Sequence, residues 1–255
     1  MYDMQSQMFD QQIHMVRWTG NASHMALLRP ALTLHATWAE DCFDKDVDGS
    51  VDGLYRSYIN TWPTDSVWYN GADSVEETAY MFRAYTALRD LAERSNDTAA
   101  AATYRQRLDA IQSNFSQLWL PHLGHPASWR EEVGLRRLRP DPWLYAVFLP
   151  IEAGLWTPEQ AAQALHYAEY GVQHDPVSCD GTACGHRVWT SKWVPGIWSV
   201  RQLWPGDEMA LAMAYLTTGL ADDGFDVFLG SATAIMRQSG VPGAIGAPNG
   251  GIDFK

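Results

Sequence analysis

Connections of two sizes alternate along this chain, and that alternation constrains its fold more than any other feature. Apolar residues recur at helical spacing through Phe9, Ile13 and Val16, break at Thr19-Gly20-Asn21, and resume through Met25, Leu28, Leu32 and Trp38, with Pro30 expected to bend or interrupt the second run. Ser74 and Glu77 make a capping-box signature ahead of Val75, Ala79, Phe82, Tyr85, Leu88 and Leu91. After Ser95-Asn96-Asp97 the pattern continues through Tyr104, Leu108, Ile111, Phe115 and Leu118. Asp141-Pro142 reads as an N-cap with proline at the first helical position, opening a helix with Trp143, Leu144, Val147 and Phe148 that should bend at Pro150. Its partner starts at Thr157-Pro158-Glu159-Gln160 and ends at Gly171. Asp207 to Gly219 and Asp222 to about Arg237 give a fourth pair, preceded by a stretch from Gly171 to Gly206 that reads as irregular apart from a short helix at Ile197 to Arg201.

Short turns join antiparallel neighbours, so every long connection should emerge at one end of the array, giving one plain face and one decorated face. Function concentrates on such loops. Four hairpins that each bury one side predict an all-α fold, an (α/α) toroid of antiparallel helical hairpins; a bundle or an open solenoid is the alternative.

The 255 residues fit a single domain spanning 1–255, and 46% hydrophobic with 19% charged residues is a globular balance. A net charge of -12 argues against nucleic acid, whose phosphates need a basic face, and no apolar run reaches the length of a membrane span. Cys179 and Cys184, with four residues between them, suit either a small disulfide or two free thiols, and Cys42 has no evident mate.

The longest acidic loop, Asp41 to Asp73, reads DCFDKDVDGSVDGLYRSYINTWPTDSVWYNGAD; a connection this long in a compact domain is usually functional. Its Asp65 lies between Trp62 and Trp68, and an aromatic setting would raise the carboxyl pKa by desolvation, as a general acid needs; a solvated turn aspartate is the plain alternative. Asp44, Asp46, Asp48, Gly49 and Asp52 reproduce the opening of an EF-hand-type loop suited to calcium, although Tyr55 stands where a bidentate Glu belongs; an Asx-rich turn competes. In a second loop Glu131 and Glu132 follow Trp129-Arg130, where the adjacent guanidinium would keep a carboxylate ionised. Glu76 and Glu77 read as first-turn and capping-box acids, and Asp141, Asp207, Asp222 and Asp223 as N-caps, with Asp207 retaining interest at the cleft end of its helix.

Seven of twelve tryptophans, at 62, 68, 129, 189, 193, 198 and 204, fall in the three long loops. Their flat rings suit sugar faces, or anchor the loops to the core. Trp62, Trp68, Tyr69, Asn70, Trp129, Arg130, Trp189, Trp193 and Trp198 are therefore candidate sugar-binding residues. His186-Arg187 and Arg136-Arg137-Arg139 suit an acidic sugar or a solvated basic face.

The phrases YINTWPTDSVWYNGADSVEETAY, VGLRRLRPDPWLYAVFLPIEAGL, WTSKWVPGIWSVRQLWPGDE and GLADDGFDVFLG resemble a bacterial branch of the six-hairpin glycosidase superfamily, over roughly Asp44 to Phe254. The resemblance implies an (α/α)6 toroid with a carbohydrate cleft at its long-loop end, glycosidic cleavage by paired carboxylates, and a periplasmic or secreted location. Glu131 is the second-loop acid that matches the branch's pattern. Four hairpins against an expected six make the chain look like a fragment, truncated at its C-terminus if not also at its N-terminus. The expected activity is a glycoside hydrolase with Asp65 as acid, Glu131 as base or nucleophile and Asp207 as a third catalytic candidate, no cofactor being required beyond a possible calcium. A polysaccharide lyase and a non-catalytic glycan-binding toroid are the alternatives.

Overall fold

The computed structural model describes residues 2–45, 51–57, 72–132, 134–192 and 201–238. The chain forms two compact units, the first of residues 1–119 and 129–138, the second of residues 120–128 and 139–255.

Unit 1 is built on two helical hairpins, α1 (Tyr2–Thr19) with α2 (Ala22–Ala39) and α3 (Val75–Arg94) with α4 (Thr98–Phe115). Local chemistry starts these helices: the side chains of Asn21, Ser74 and Asp97 each accept an amide of the first turn that would otherwise lack a partner. Helix α2 continues through Pro30 without interruption, the other expected outcome being a bend, and buries Leu28, Leu32, His35 and Ala36. Helix α3 packs against α1, α2 and α4 and is buried on every side through its first three turns. It therefore carries polar groups inward. Arg83 meets Asp10 of α1 at 2.8 Å, each side chain only 4% exposed, a pair that is stable only as a pair.

The short turns of unit 1 share one end: Arg29, in α2, reaches Asp97 at 2.7 Å and Ser95 at 2.9 Å in the α3–α4 turn. The long segment after α2 lies at the other. It opens with one π-helical turn, Glu40–Asp44, and docks on the far end of α4, where Asn114 Nδ2 donates to the Asp52 carbonyl at 2.8 Å. Gly53 approaches α4 so closely that a Cβ would lie 2.8 Å from the Ile111 amide nitrogen. A three-stranded antiparallel sheet completes this end, with β1 (Arg56–Ser57), β2 (Ala72–Ser74) and β5 (Trp129–Glu131) in that order. Two short strands precede β5 in sequence, β3 (Trp119–Leu120) and β4 (His125–Pro126).

Unit 2 contains α5 (Leu144–Ala153) with α6 (Pro158–Gly171) and α7 (Pro205–Thr217) with α8 (Ala221–Thr233). Thr157 and Gln160 form the expected capping box. Helix α7 packs on α5 and α8. The expected N-caps of α5, α7 and α8 are not caps. Helix α5 begins after Trp143, not Asp141, whose carbonyl instead accepts from Ser128 Oγ at 3.0 Å while its carboxylate meets Lys192 at 3.0 Å. Trp204 precedes α7 and Leu220 precedes α8, which moves Asp207, Asp222 and Asp223 into first turns.

The stretch read as irregular holds a β-hairpin, β6 (His174–Cys179) and β7 (Thr182–Val188), closed by Asp180-Gly181 at φ 53° and 85°. Two residues at positive φ make the primed turn that suits strand twist, and Asp-Gly is its usual sequence. Cys179 and Cys184 are disulfide-bonded beside that turn, which decides between the two readings of these thiols. Strand β7 meets α8 backbone to backbone. A Cβ on Gly230 would lie 2.2 Å from the His186 carbonyl, and one on Gly185 2.2 Å from the Asp226 carbonyl. No helix among the described residues is long and apolar enough to cross a membrane.

In an exposed helix Gly→Ala stabilises by roughly 0.5–1 kcal/mol, so Gly230→Ala tests that contact by its sign. It should lower stability by about 1–3 kcal/mol or more, read as the urea midpoint at constant slope.

Candidate functional site

In unit 1 the site is built on the sheet. Strands β1 and β2 pair Arg56 with Asp73 and Ser57 with Ala72, so residues 58–71 leave and return through adjacent strands. The other edge of β2 pairs with β5, setting Ala72 against Glu131, Asp73 against Arg130 and Ser74 against Trp129. Glu131 thus stands on the strand next to the exit of the loop that carries Asp65.

Alternation along β5 decides what Arg130 does. Neighbouring side chains on a strand point to opposite faces, and Arg130 turns to Asp73 at 2.5 Å and to Asp52 at 3.3 Å rather than serving Glu131 as the sequence suggested. Asp73 is 2% exposed, so its charge depends on this guanidinium. On the same edge Glu132 pairs with Arg56, whose Nε donates to the Phe43 carbonyl at 3.3 Å. Glu131 is half-buried, with Oε2 3.4 Å from the Arg137 amide nitrogen. Trp129 is buried, so in β5 an indole expected at a sugar face anchors the strand.

Downstream of Asp73, Glu76 and Glu77 are both fully buried in the first turn of α3, where the positive end of the helix dipole favours carboxylates. Ser74 Oγ accepts the Glu77 amide at 3.3 Å, as a cap should. Their burial was not foreseen.

Of the calcium-type residues, Asp44 and Asp52 are described, and Asp46 and Asp48 lie outside the described residues. Asp44 Oδ1 accepts the Gly53 amide at 2.8 Å and Asp52 Oδ1 that of Leu54 at 2.9 Å, while Lys45 and Val51 bridge across the intervening turn. Burial pushes Asp44 up to about 7, opposed by the Gly53 hydrogen bond and reinforced by the charge of Asp52. Asp65, Trp62, Trp68, Tyr69, Asn70, Trp193 and Trp198 also lie outside the described residues, as do all but Arg201 of the short helix expected at Ile197 to Arg201.

Unit 2 has its own acid pair at the start of α7. Glu208 is fully buried and accepts from Arg187 Nε at 2.7 Å, the Val188 amide at 2.9 Å and Ser231 Oγ at 2.8 Å. Arg187 is therefore a core residue, and His186 pairs with Asp226 at 2.5 Å, so neither offers the basic face expected of them. Asp207, 5% exposed, keeps its proton: burial, then the neighbouring Glu208 charge, push it up to about 8. Its Oδ2 has no hydrogen-bond partner among the described residues. Trp189 is half-buried, with Arg201 lying 5.8 Å over its ring, so one face of this candidate sugar platform is covered.

No family model and no curated protein matches the sequence. Among solved structures the chain is similar to a rhamnosidase from Klebsiella oxytoca with rhamnose bound, at 15% identity and a TM-score of 0.56, over 88% of this chain and 36% of that one. A GH78 family rhamnosidase of Bacillus sp. GL1 aligns at 14% identity and a TM-score of 0.58, over 85% and 20% of the two chains. A GH63 mannosylglycerate hydrolase from Thermus thermophilus in complex with Tris gives 17% identity and a TM-score of 0.50, over 66% and 38%. This chain thus spans well under half the length of each. The likeness is one of fold: all-α, made of the antiparallel hairpins of toroid glycosidases.

The state of Asp207 makes a pH prediction. An unperturbed Asp ionises near 3.8 and the folded one near 8, so between these values the folded chain binds the extra proton. This group's contribution is complete below pH 4 and is lost as pH rises toward 8, a slope of about 1.4 kcal/mol per pH unit for one proton. Asp207→Asn should flatten the decline in melting temperature between pH 5 and 8; an unchanged decline would contradict a buried neutral carboxyl.

Proposed function

We propose that the protein cleaves glycosidic bonds in a poly- or oligosaccharide, with Asp65 as general acid and Glu131 as base or nucleophile. One observation carries the assignment: Ala72 pairs with Glu131, so the strand bearing the second carboxylate is hydrogen-bonded to the exit of the loop bearing the first, within one compact unit of a glycosidase-like fold. The chemistry needs one protonated carboxyl to release the leaving oxygen and one ionised carboxylate on the other side of the anomeric carbon. The Asp73–Arg130–Asp52 and Arg56–Glu132 pairs lie on the strands that flank residues 58–71 and beside them. Trp62, Trp68, Tyr69 and Asn70 on the same loop would supply stacking and hydrogen bonds to the sugar.

Rhamnosides are the first substrates to try, because two of the similar structures are rhamnosidases. The Cys179–Cys184 disulfide favours an oxidising compartment, periplasmic or extracellular. A calcium ion in the Asp44–Asp52 turn would brace the entrance of the loop without entering the reaction.

Asp65→Asn should lower kcat on a natural glycan by about 10²- to 10⁴-fold, with KM within a few-fold, and should lower turnover of an aryl glycoside with a good leaving group far less. Full turnover by this variant removes Asp65 from the acid role. An unsaturated uronate in the product would identify a lyase instead.

A further inference from the structure

A second constellation in unit 2 brings two histidines to Glu169. Glu169 in the last turn of α6, His174 at the start of β6 and His186 in β7 each bring one ligand-type atom within 4.8 Å of one from each of the others. One hydrogen bond on each ring decides where its lone pair is. His174 Nε2 lies 2.9 Å from the Ala168 carbonyl, which can only accept, so Nε2 holds the proton and Nδ1 the lone pair. His186 Nδ1 lies 2.5 Å from the Asp226 carboxylate, which leaves Nε2 as its lone-pair atom. That Nε2 is buried and has no partner among the described residues. A buried imidazole nitrogen costs stability unless something meets it.

We propose that Glu169, His174 and His186 bind a divalent transition-metal ion of the zinc type, with Asp226 and the Ala168 carbonyl as the outer partners that fix both imidazole rings. Two imidazoles and a carboxylate suit zinc better than calcium, which prefers oxygen alone. A carboxylate or carbonyl behind each ligating histidine is the usual outer arrangement of such sites. The Tyr215 hydroxyl stands 3.3 Å from Glu169 Oε2.

The two rings now stack at 4.4 Å between centroids with planes 19° apart, so their in-plane lone pairs run nearly side by side. Ligands at about 2.0–2.2 Å from a tetrahedral ion stand roughly 3.3–3.6 Å apart. Binding would require both rings to rotate toward Glu169 and open the stack. Strand β7 packs closely on α8 at Gly185 and Gly230, and Asp226 of α8 lies beside His186. Three protein ligands leave a fourth position for water.

The test uses the whole chain in a Cys42→Ser background, stripped with chelator, since Cys42 is an exposed free thiol. Zinc titration by calorimetry should give one site, and cobalt should give the visible absorption of a four- or five-coordinate ion. His186→Gln and His174→Gln should abolish the cobalt spectrum. Asp226→Asn, at a half-exposed position that folding should tolerate, should weaken zinc 10- to 100-fold. His122→Gln, at an exposed loop position, should change nothing. No saturable zinc binding, or binding equal in the parent, His186→Gln and Asp226→Asn, overturns the proposal.

Discussion

The long-loop end of unit 1 depends on one guanidinium. Arg130 sits opposite Asp73 in the sheet and reaches Asp52 as well, joining three segments that are remote in sequence: the approach to β1, the start of β2 and the second loop. Neither aspartate explains itself without it. A carboxylate 2% exposed is expensive to bury alone, and the cross-strand pairing supplies the opposite charge at hydrogen-bond distance. Strands β1 and β2 are thereby held by charge and by sheet together, and the candidate carboxylate Glu131 takes its position from the same register.

Unit 2 solves the burial of acid differently. Glu208 receives a two-pronged contact from Arg187, a backbone amide and a hydroxyl, the surroundings of an ionised carboxylate. Asp207 beside it has the Tyr145 hydroxyl and no cation to itself, and stays protonated. Burial thus raises both neighbouring acids, and the Arg187 contact opposes that rise at Glu208 only.

The helical hairpins were legible in the sequence because their signals are local: period, caps and proline positions within a few residues. Ser74 and Thr157 cap where those signals place them, and Asn21 and Asp97, read only as breaks between helices, cap as well. Asp141, Asp207, Asp222 and Asp223 show the limit, since an aspartate near a helix start reads alike as N-cap or first-turn acid, and proline at 205 settles the matter for α7 only once Pro205 is read as its first residue. The β6–β7 hairpin was legible and overlooked: Asp180-Gly181 between two short runs is a hairpin signal, and the cysteines flank it. Arg130's partners were not legible, because they follow from a strand register formed by residues far apart in the chain. The same holds for His186, whose neighbours come from α6, β6 and α8.

Between most packed elements lies a layer of side chains that can shift rotamers and absorb a displacement. At Gly185 and Gly230 that layer is missing, and strand and helix touch main chain to main chain. Nothing there can yield by a small amount. The hairpin, closed at its tip by the disulfide, is therefore tied to α8 by direct main-chain approach, and α8 continues into the π-helical turn Ala234–Gln238.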